Sequence, residues 1–266
     1  MLRDITLGQY YPVDSVIHRL DPRTKLMGTL LFIISLFCMD SAWGYGLAAL
    51  FLAMTIRLSK VPLKFMVRGL KAVLVLLLIS VSFNLFLTPG REIFRLGFLK
   101  ITWEGMRTAL FMAVRLIFLV LGSSVMTLTT TPNELTDGLE KGLGFLKKVG
   151  VPVHEVAMMM SIALRFIPIL IEEADKIMKA QMARGADFES GNIVQRAKSM
   201  VPLLVPLFIS AFRRATDLAM AMEARCYRGG EGRTKMKPLR YHRRDRLAQL
   251  LLVLYLAAVI VLRVMV

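Results

Sequence analysis

Residues 247–266 read LAQLLLVLYLAAVIVLRVMV, and Arg263 is the only charged residue among them. At about 1.5 Å of rise per residue this run makes a helix about 30 Å long, the thickness of the hydrocarbon core of a bilayer. Residues 105–128, GMRTALFMAVRLIFLVLGSSVMTL, are also long enough to span, although they contain Arg107 and Arg115. Because backbone inside lipid must satisfy its own hydrogen bonds, these runs predict membrane-spanning helices and an all-α, polytopic membrane protein.

The composition of the whole chain agrees with this interpretation. Of its 266 residues, 56% are hydrophobic and 20% are charged, and the mean hydropathy is +0.58. These values exclude disordered, collagen-like and disulfide-rich secreted proteins. The net charge of +16 would favour a nucleic-acid partner in a soluble protein. In a membrane protein the same charge suits the anionic inner leaflet, so we expect a lipid bilayer and no nucleic acid as partner.

Three further apolar runs, residues 26–39, 43–56 and 72–87, bring the predicted number of spans to about five. The first two are separated by three residues only and predict a tight helical hairpin. The predicted organisation is a four-span N-terminal membrane region over residues 1–128, a cytoplasmic module of amphipathic coupling helices over residues 129–246, and a C-terminal transmembrane helix over residues 247–266.

The basic residues predict how the chain is oriented in the membrane. Short cytoplasmic connections carry an excess of Lys and Arg. Such residues precede the first span, lie between the second and third spans, and cluster just before the last span. The connection between the third and fourth spans disagrees, because it contains Arg91, Arg95 and Lys100. The pattern as a whole predicts a multi-pass protein of the cell (plasma) membrane with a cytoplasmic N-terminus and an external C-terminus.

Residues 129–246 show clear signals for helices that do not span. The sequence TPNE at 131–134 is a capping box, with threonine at the N-cap, proline at the first position and glutamate at the third. A long helix is predicted over residues 152–184, with a kink at Pro168, and another over residues 192–227. The apolar run 201–212 in the latter is too short to span, and we expect it to be buried against other helices.

Two similar strings end the two long predicted helices. These are Ala183-Arg184-Gly185 and Ala224-Arg225-Cys226, which lie 41 residues apart. A single arginine at a helix C-terminus would only complement the helix dipole, which is worth about 0.3–1 kcal/mol. The repetition favours instead two guanidinium groups that dock onto a partner. For Arg115, a structural pair and a functional contact are both open, and for Arg165 we expect pairing within the helical module.

The sequence contains no recognisable signature of catalysis. There is no phosphate-binding loop of the G-x-x-x-x-G-K-[ST] type, and His154-Glu155 lacks the second histidine of a zinc protease. We therefore expect no catalytic residue, no metal, no cofactor and no ATPase motif, and we expect that the chain is not an enzyme.

Several segments together resemble one known family, the transmembrane coupling (T) component of energy-coupling-factor (ECF) transporters, which are of the ATP-binding-cassette (ABC) type. The similarity covers nearly the whole chain in order. It rests on residues 9–15 (QYYPVDS), 18–26 (HRLDPRTKL), 129–135 (TTTPNEL), 163–168 (ALRFIP) and 172–175 (EEAD), together with the two arginine strings. The N-terminal segment resembles the shared, vitamin-importing type more than the dedicated cobalt or biotin type.

The resemblance implies a non-catalytic membrane scaffold. It would couple two cytoplasmic ABC-type ATPase subunits to a substrate-binding membrane protein, the S component, for the uptake of a micronutrient such as a vitamin. In the family the arginine-bearing helix ends dock into the two ATPases, and the correspondence falls on Ala183, Arg184, Gly185, Ala224 and Arg225. Cys226 departs from the glycine or alanine that is more usual there. The alternatives are a stand-alone secondary transporter and an integral membrane enzyme.

Overall fold

A computed structural model describes residues 9–39, 41–96, 99–186, 188, 193–230, 236 and 238–265. Within these residues the chain is almost entirely helical, which confirms the all-α class. One compact unit comprises Gly8–Gly138 and Leu239–Val266, and the other is built from Leu139–Pro238. The α-helices are α1 Pro22–Phe37, α2 Ala42–Ser59, α3 Leu63–Leu87, α4 Trp103–Thr129, α5 Pro132–Gly142, α6 Val153–Ala183, α7 Ile193–Ala224 and α8 Arg243–Met265, with a 3₁₀ helix at Gly144–Val149.

The helix starts follow local signals in the sequence. Glu134 donates its backbone N–H to the Thr131 hydroxyl at 3.3 Å and accepts the Thr131 N–H at 3.2 Å, which confirms the capping box of α5. The side chain of Thr102 accepts the Gly105 N–H at 3.0 Å and so caps α4. Asp21 caps α1 in the same way, with Pro22 at the first helical position. Each contact satisfies a backbone donor that the helix itself leaves without a partner.

The number of helices able to cross a membrane agrees with the prediction of about five spans. By length and apolar composition four of the described helices qualify, namely α2, α4, α6 and α8. The parts of α3 on either side of residue 72, Leu63–Lys71 and Val73–Leu87, are inclined at 61° and qualify together as a fifth. The helix α1, with 16 residues, is shorter than this test requires. The division into a membrane region and a cytoplasmic module remains a prediction, since α6 meets the same criterion.

The connection between α3 and α4 contains a feature that the sequence analysis missed. Strand β1, Glu92–Leu96, pairs with strand β2, Leu99–Thr102, in an antiparallel hairpin. The hydroxyl of Thr102 donates to the Thr88 carbonyl at 2.9 Å and ties the end of the hairpin to the end of α3. Two strands of five and four residues are too short to give a clear alternating pattern in the sequence.

Helices α1, α2, α4 and α8 share one apolar core. Its fully buried members include Leu36 and Ala48, and the Phe51 and Tyr255 rings stack at a centroid distance of 4.4 Å. Gly122 lets α4 approach α1, because an added Cβ would lie 2.7 Å from the Phe32 ring.

Arg115 is held within this unit, near the middle of α4. Its Nε donates to the Tyr45 hydroxyl at 3.0 Å and its Nη2 to the Met39 carbonyl at 3.0 Å. Its guanidinium also lies over the Phe37 ring, 5.5 Å from the centroid. Of the two interpretations of Arg115, the structure therefore supports a structural contact.

The N-terminal segment is fixed against the end of α4. The Tyr11 N–H donates to the Leu128 carbonyl at 2.9 Å, and the ammonium of the buried Lys25 donates to the carbonyls of His18 at 3.1 Å and Thr129 at 2.8 Å. The residues of the segment that carry the family resemblance thus have a structural role.

Candidate functional site

The two long helices α6 and α7 lie antiparallel to each other. The Arg214 guanidinium on α7 donates to the Glu173 carboxylate on α6 at 2.8 and 3.2 Å, and the Ser210 hydroxyl donates to the same carboxylate. Toward the start of α6, the Met158 sulfur accepts a hydrogen bond from the Tyr227 hydroxyl at 3.1 Å. Since later residues of α7 meet earlier residues of α6, the C-terminal end of α7 lies beside the start of α6.

Arg184 closes α6 in a Schellman motif. The Gly185 N–H donates to the Met182 carbonyl and the Ala186 N–H to the Gln181 carbonyl, both at 3.0 Å. Gly185 has the left-handed φ of +88° that this motif needs. The arginine is therefore the C-cap residue.

Arg225 ends α7 with the same hydrogen-bond pattern. The Cys226 N–H donates to the Glu223 carbonyl at 2.8 Å and the Tyr227 N–H to the Met222 carbonyl at 3.0 Å. Cys226 takes the left-handed conformation with φ of +55°, although it is not glycine. Cysteine in place of glycine thus leaves the hydrogen-bond pattern unchanged, and both arginines occupy equivalent positions at their helix ends.

The strain at Cys226 gives a testable prediction. A left-handed residue with a Cβ costs about 1–2 kcal/mol relative to glycine. We expect Cys226→Gly to raise the thermal midpoint of the purified chain by about 2–4 °C. Cys226→Ala is the matched control, because it removes the thiol and keeps the Cβ, and it should give no gain. A Cys226→Gly midpoint equal to that of Cys226→Ala would contradict the strain.

The side chains of Arg184 and Arg225 are exposed. Within the described part of the chain, neither makes a hydrogen bond or an ion pair, in contrast to Arg214. Arg225 lies near Ile162 of α6, and Arg184 follows 22 residues later, up to about 33 Å away at 1.5 Å of rise per residue. Because α6 and α7 are antiparallel, the two arginines lie toward opposite ends of the α6–α7 pair.

A cavity of about 420 Å³ connects the second arginine string with the start of α6. Its walls include Met158, Ile162 and Met222 together with residues 225–229. Nearby, His154 Nδ1 lies 2.8 Å from Glu140 Oε1. Gly230 fits tightly against the His154 ring, and a Cβ there would collide with it. The end of α7 is thus packed firmly onto the start of α6.

The apolar run 201–212 is not buried as predicted. Six of its large apolar side chains are exposed, and their spacing of three and four residues places them on one helical face. On α6 the side chains of Val156, Met159 and Met160 are exposed as well. Periodicity correctly indicated an apolar face, but within this chain no described helix covers it. We call these nine side chains the apolar face of α6 and α7: Val156, Met159, Met160, Val201, Leu204, Val205, Phe208, Ile209 and Phe212.

The prediction for Arg165 was also wrong. Its side chain is exposed on α6, and it makes no hydrogen bond or ion pair with any residue that the structure describes. No group of three or more His, Cys, Asp or Glu that could hold a metal ion occurs among the described residues.

The fold and the site define a polytopic α-helical membrane protein with a pair of long helices that end in matching arginine motifs. Comparison with known proteins shows to which family within this class the chain belongs. Residues 14–236 match the family model described as cobalt transport protein (CbiQ).

Several relatives carry the name energy-coupling factor transporter transmembrane protein EcfT, and three of them illustrate the similarity. That of Thermosediminibacter oceani is 59% identical over 239 residues, 90% of each chain. That of Clostridium kluyveri is 56% identical over 252 residues, 94% of this chain and 93% of the relative. That of Bacillus subtilis is 49% identical over 246 residues, which are 92% of this chain and 93% of the relative. The chain therefore belongs to the family of transmembrane (T) components of energy-coupling-factor transporters. A member of this family is a membrane component of a transporter and not a catalytic enzyme.

Proposed function

We propose that this chain couples ATP hydrolysis by two ABC-type ATPase subunits to the uptake of a vitamin or similar micronutrient through an S component. The observation that carries the proposal is the repeated helix end, with an exposed arginine at each of two equivalent C-cap positions. The same geometry presented twice suits two similar partners. The contact residues would be Ala183, Arg184 and Gly185 at one end and Ala224 and Arg225 at the other.

The electrostatics of the two helix ends support ATPase docking. A guanidinium that pairs with no carboxylate among the described residues can pair with acidic side chains or carbonyls of a partner groove. Because the cap hydrogen bonds fix the backbone, only the side chain needs to be ordered on binding.

The apolar face of α6 and α7 supports the proposal that an S component docks there. The six side chains on α7 and the three on α6 each form an exposed apolar patch on one helix, and exposed apolar patches mark interaction sites. Met-rich and flexible surfaces can repack against different partners, which suits a component shared among several S components.

Met159 tests this docking surface. Its side chain is 57% exposed, so Met159→Gln should leave the fold intact. Burial of a methionine against a partner is worth about 1.5–3 kcal/mol, and we expect S-component retention to fall about tenfold or more while the ATPases stay bound. The measurement is quantitative pull-down with the tagged chain.

The matched control for Met159 is Met236→Gln. Met236 is 97% exposed and lies outside both helices, so its substitution should have no effect. Met158→Gln, unlike Met159→Gln, should disturb the packing of α7 on α6. Met158 is half-buried and accepts the Tyr227 hydrogen bond. Equal loss of ATPases and S component in Met159→Gln would indicate misfolding and count against the docking surface.

The proposed orientation places the N-terminus and the α6–α7 pair in the cytoplasm, as the Lys and Arg distribution favours. In a background without Cys38 and Cys226, a cysteine at Ser41 or after Val266 should react with an impermeant thiol reagent applied to intact cells. The native, exposed Cys226, kept in a Cys38→Ser background, should react only after permeabilisation. Cys226 is a better probe than a cysteine at Gly230, which would collide with His154. Labelling of Cys226 from outside would overturn the orientation.

Purification of the tagged chain from its native membrane tests the proposed function as a whole. Co-purification of two ATPase subunits and an S component, with uptake that depends on ATP, is the expected result. A chain that purifies alone and transports without ATP would instead be a secondary transporter, and the coupling proposal would be wrong.

A further inference from the structure

The two arginine-bearing helix ends differ in the residue that follows the arginine. At the end of α6 this residue is Gly185, which takes the left-handed conformation without a steric penalty. At the end of α7 it is Cys226, and a residue with a Cβ populates this conformation about five- to thirtyfold less than glycine does. The hydrogen bonds that close the helix after Arg225 need this conformation. A contact beyond the helix end can offset the difference.

The chain that follows α7 makes such contacts with the start of α6. We call residues 226–230 the latch segment. The Tyr227 hydroxyl donates to the Met158 sulfur at 3.1 Å, and the Tyr227 N–H is one of the two that close the end of α7. Three residues further on, Gly230 lies directly against the His154 ring. The latch segment is therefore fastened to α6 at two points.

The second of these points leaves no room for a side chain on the latch segment. His154 is itself held, because its Nδ1 lies 2.8 Å from Glu140 Oε1 on α5 and its Nε2 is buried. A Cβ at Gly230 would collide with the ring. An alanine there would therefore either push the latch segment away from α6 or break the contact between His154 and Glu140.

We propose that the latch segment keeps Arg225 in its docking conformation, which rests on the ATPase contact proposed for that arginine. Tyr227, Gly230 and His154 are then positioning residues, since they act on Arg225 through the conformation of Cys226. Packing on α6 thus does at the end of α7 what a glycine does at the end of α6.

Gly230→Ala tests the latch segment in two backgrounds. In Arg184→Ala only the Arg225 contact remains to hold the ATPases. There Gly230→Ala should lower their retention about fivefold or more, because the docking conformation becomes less populated. In Arg225→Ala the contact that the latch segment supports is already gone, so Gly230→Ala should cause no further loss. The measurement is quantitative pull-down of the ATPases with the tagged full chain.

A rescue, a milder variant and a matched control complete the test. Cys226→Gly, added to the Arg184→Ala, Gly230→Ala variant, should restore the retention of Arg184→Ala alone, because glycine adopts the left-handed conformation without support. Tyr227→Phe keeps the ring and removes the hydroxyl, and it should lower retention in Arg184→Ala about twofold or more. Gly142→Ala should change retention in neither background, since a Cβ added at Gly142, in the same unit, meets no atom within 4 Å.

The outcomes separate the latch segment from the docking itself. Equal loss by Gly230→Ala in both backgrounds would mean that it acts on the fold and not through Arg225, and the latch would be wrong. No loss in Arg184→Ala, or no rescue by Cys226→Gly, would overturn it as well. If Arg225→Ala alone kept the wild-type retention, the docking proposed for that arginine would fail, a result that is visible without any variant of the latch segment.

Discussion

The double variant Arg184→Glu, Arg225→Glu should insert into the membrane normally but lose both ATPases and all ATP-driven uptake. Removal of one partner from a desolvated charge pair costs about 2–5 kcal/mol, and reversal of its sign adds repulsion. Two such contacts reinforce each other, because the first one raises the effective concentration for the second. The single variants Arg184→Ala and Arg225→Ala should therefore retain part of the complex and part of the transport. The measurements are ATPase pull-down and vitamin uptake in membrane vesicles.

Two other exposed arginines provide matched controls for this experiment. Arg165 lies on α6 and Arg213 on α7, and neither makes a hydrogen bond or ion pair with another described residue. The variant Arg165→Glu, Arg213→Glu changes the net charge by the same amount on the same helices, yet it should keep the ATPases. If the Arg184, Arg225 double variant still bound both ATPases and transported at the wild-type rate, the two arginines would be ordinary helix-end charges and their coupling role would be wrong.

Local signals in the sequence predicted much of the helical framework correctly. Threonine, proline and glutamate at 131, 132 and 134 gave the capping box of α5, because an N-cap depends on residues within one turn. The two Ala-Arg strings likewise gave the ends of α6 and α7. Whether Cys226 could adopt the conformation of Gly185 was open in the sequence, since a left-handed residue with a Cβ is strained but allowed.

Features that depend on distant residues were not predictable in the same way. Arg115 is satisfied by Tyr45, 70 residues earlier, and by the Met39 carbonyl. The run 201–212 has the pattern of a face that needs a cover, but no periodicity tells whether the cover is the same chain or a partner. The two arginine-bearing helix ends of the site could therefore be predicted from the sequence. The burial or exposure of its apolar surfaces could not, because that depends on which other helices pack against them.

The role of Asp245 also depends on residues that are distant in the sequence. In the sequence it is only one acid within a strongly basic stretch. In the structure its side chain is completely buried. One carboxylate oxygen accepts the Asp21 N–H and the other accepts the His242 N–H, both at 2.7 Å. Alongside it, Arg23 donates to the Leu239 carbonyl at 3.1 Å. The carboxylate thus joins the start of α8 to the start of α1, although 224 residues separate Asp21 from Asp245.

Asp245→Ala should be the most destabilising single substitution proposed for this chain. It leaves two buried N–H groups without an acceptor, and hydrogen bonds to a charged group contribute about 1.5–3 kcal/mol each. We expect a loss of about 3–5 kcal/mol and a fall of the thermal midpoint by about 10 °C. Asp245→Asn keeps one acceptor oxygen and should lose about half as much. Asp217→Ala, an exposed acid on α7, is the control and should stay within about 0.5 kcal/mol of the wild type. If Asp245→Ala melted at the wild-type temperature, α1 and α8 would be held together by their apolar core alone, and the buried carboxylate would have no part in joining the two ends of the chain.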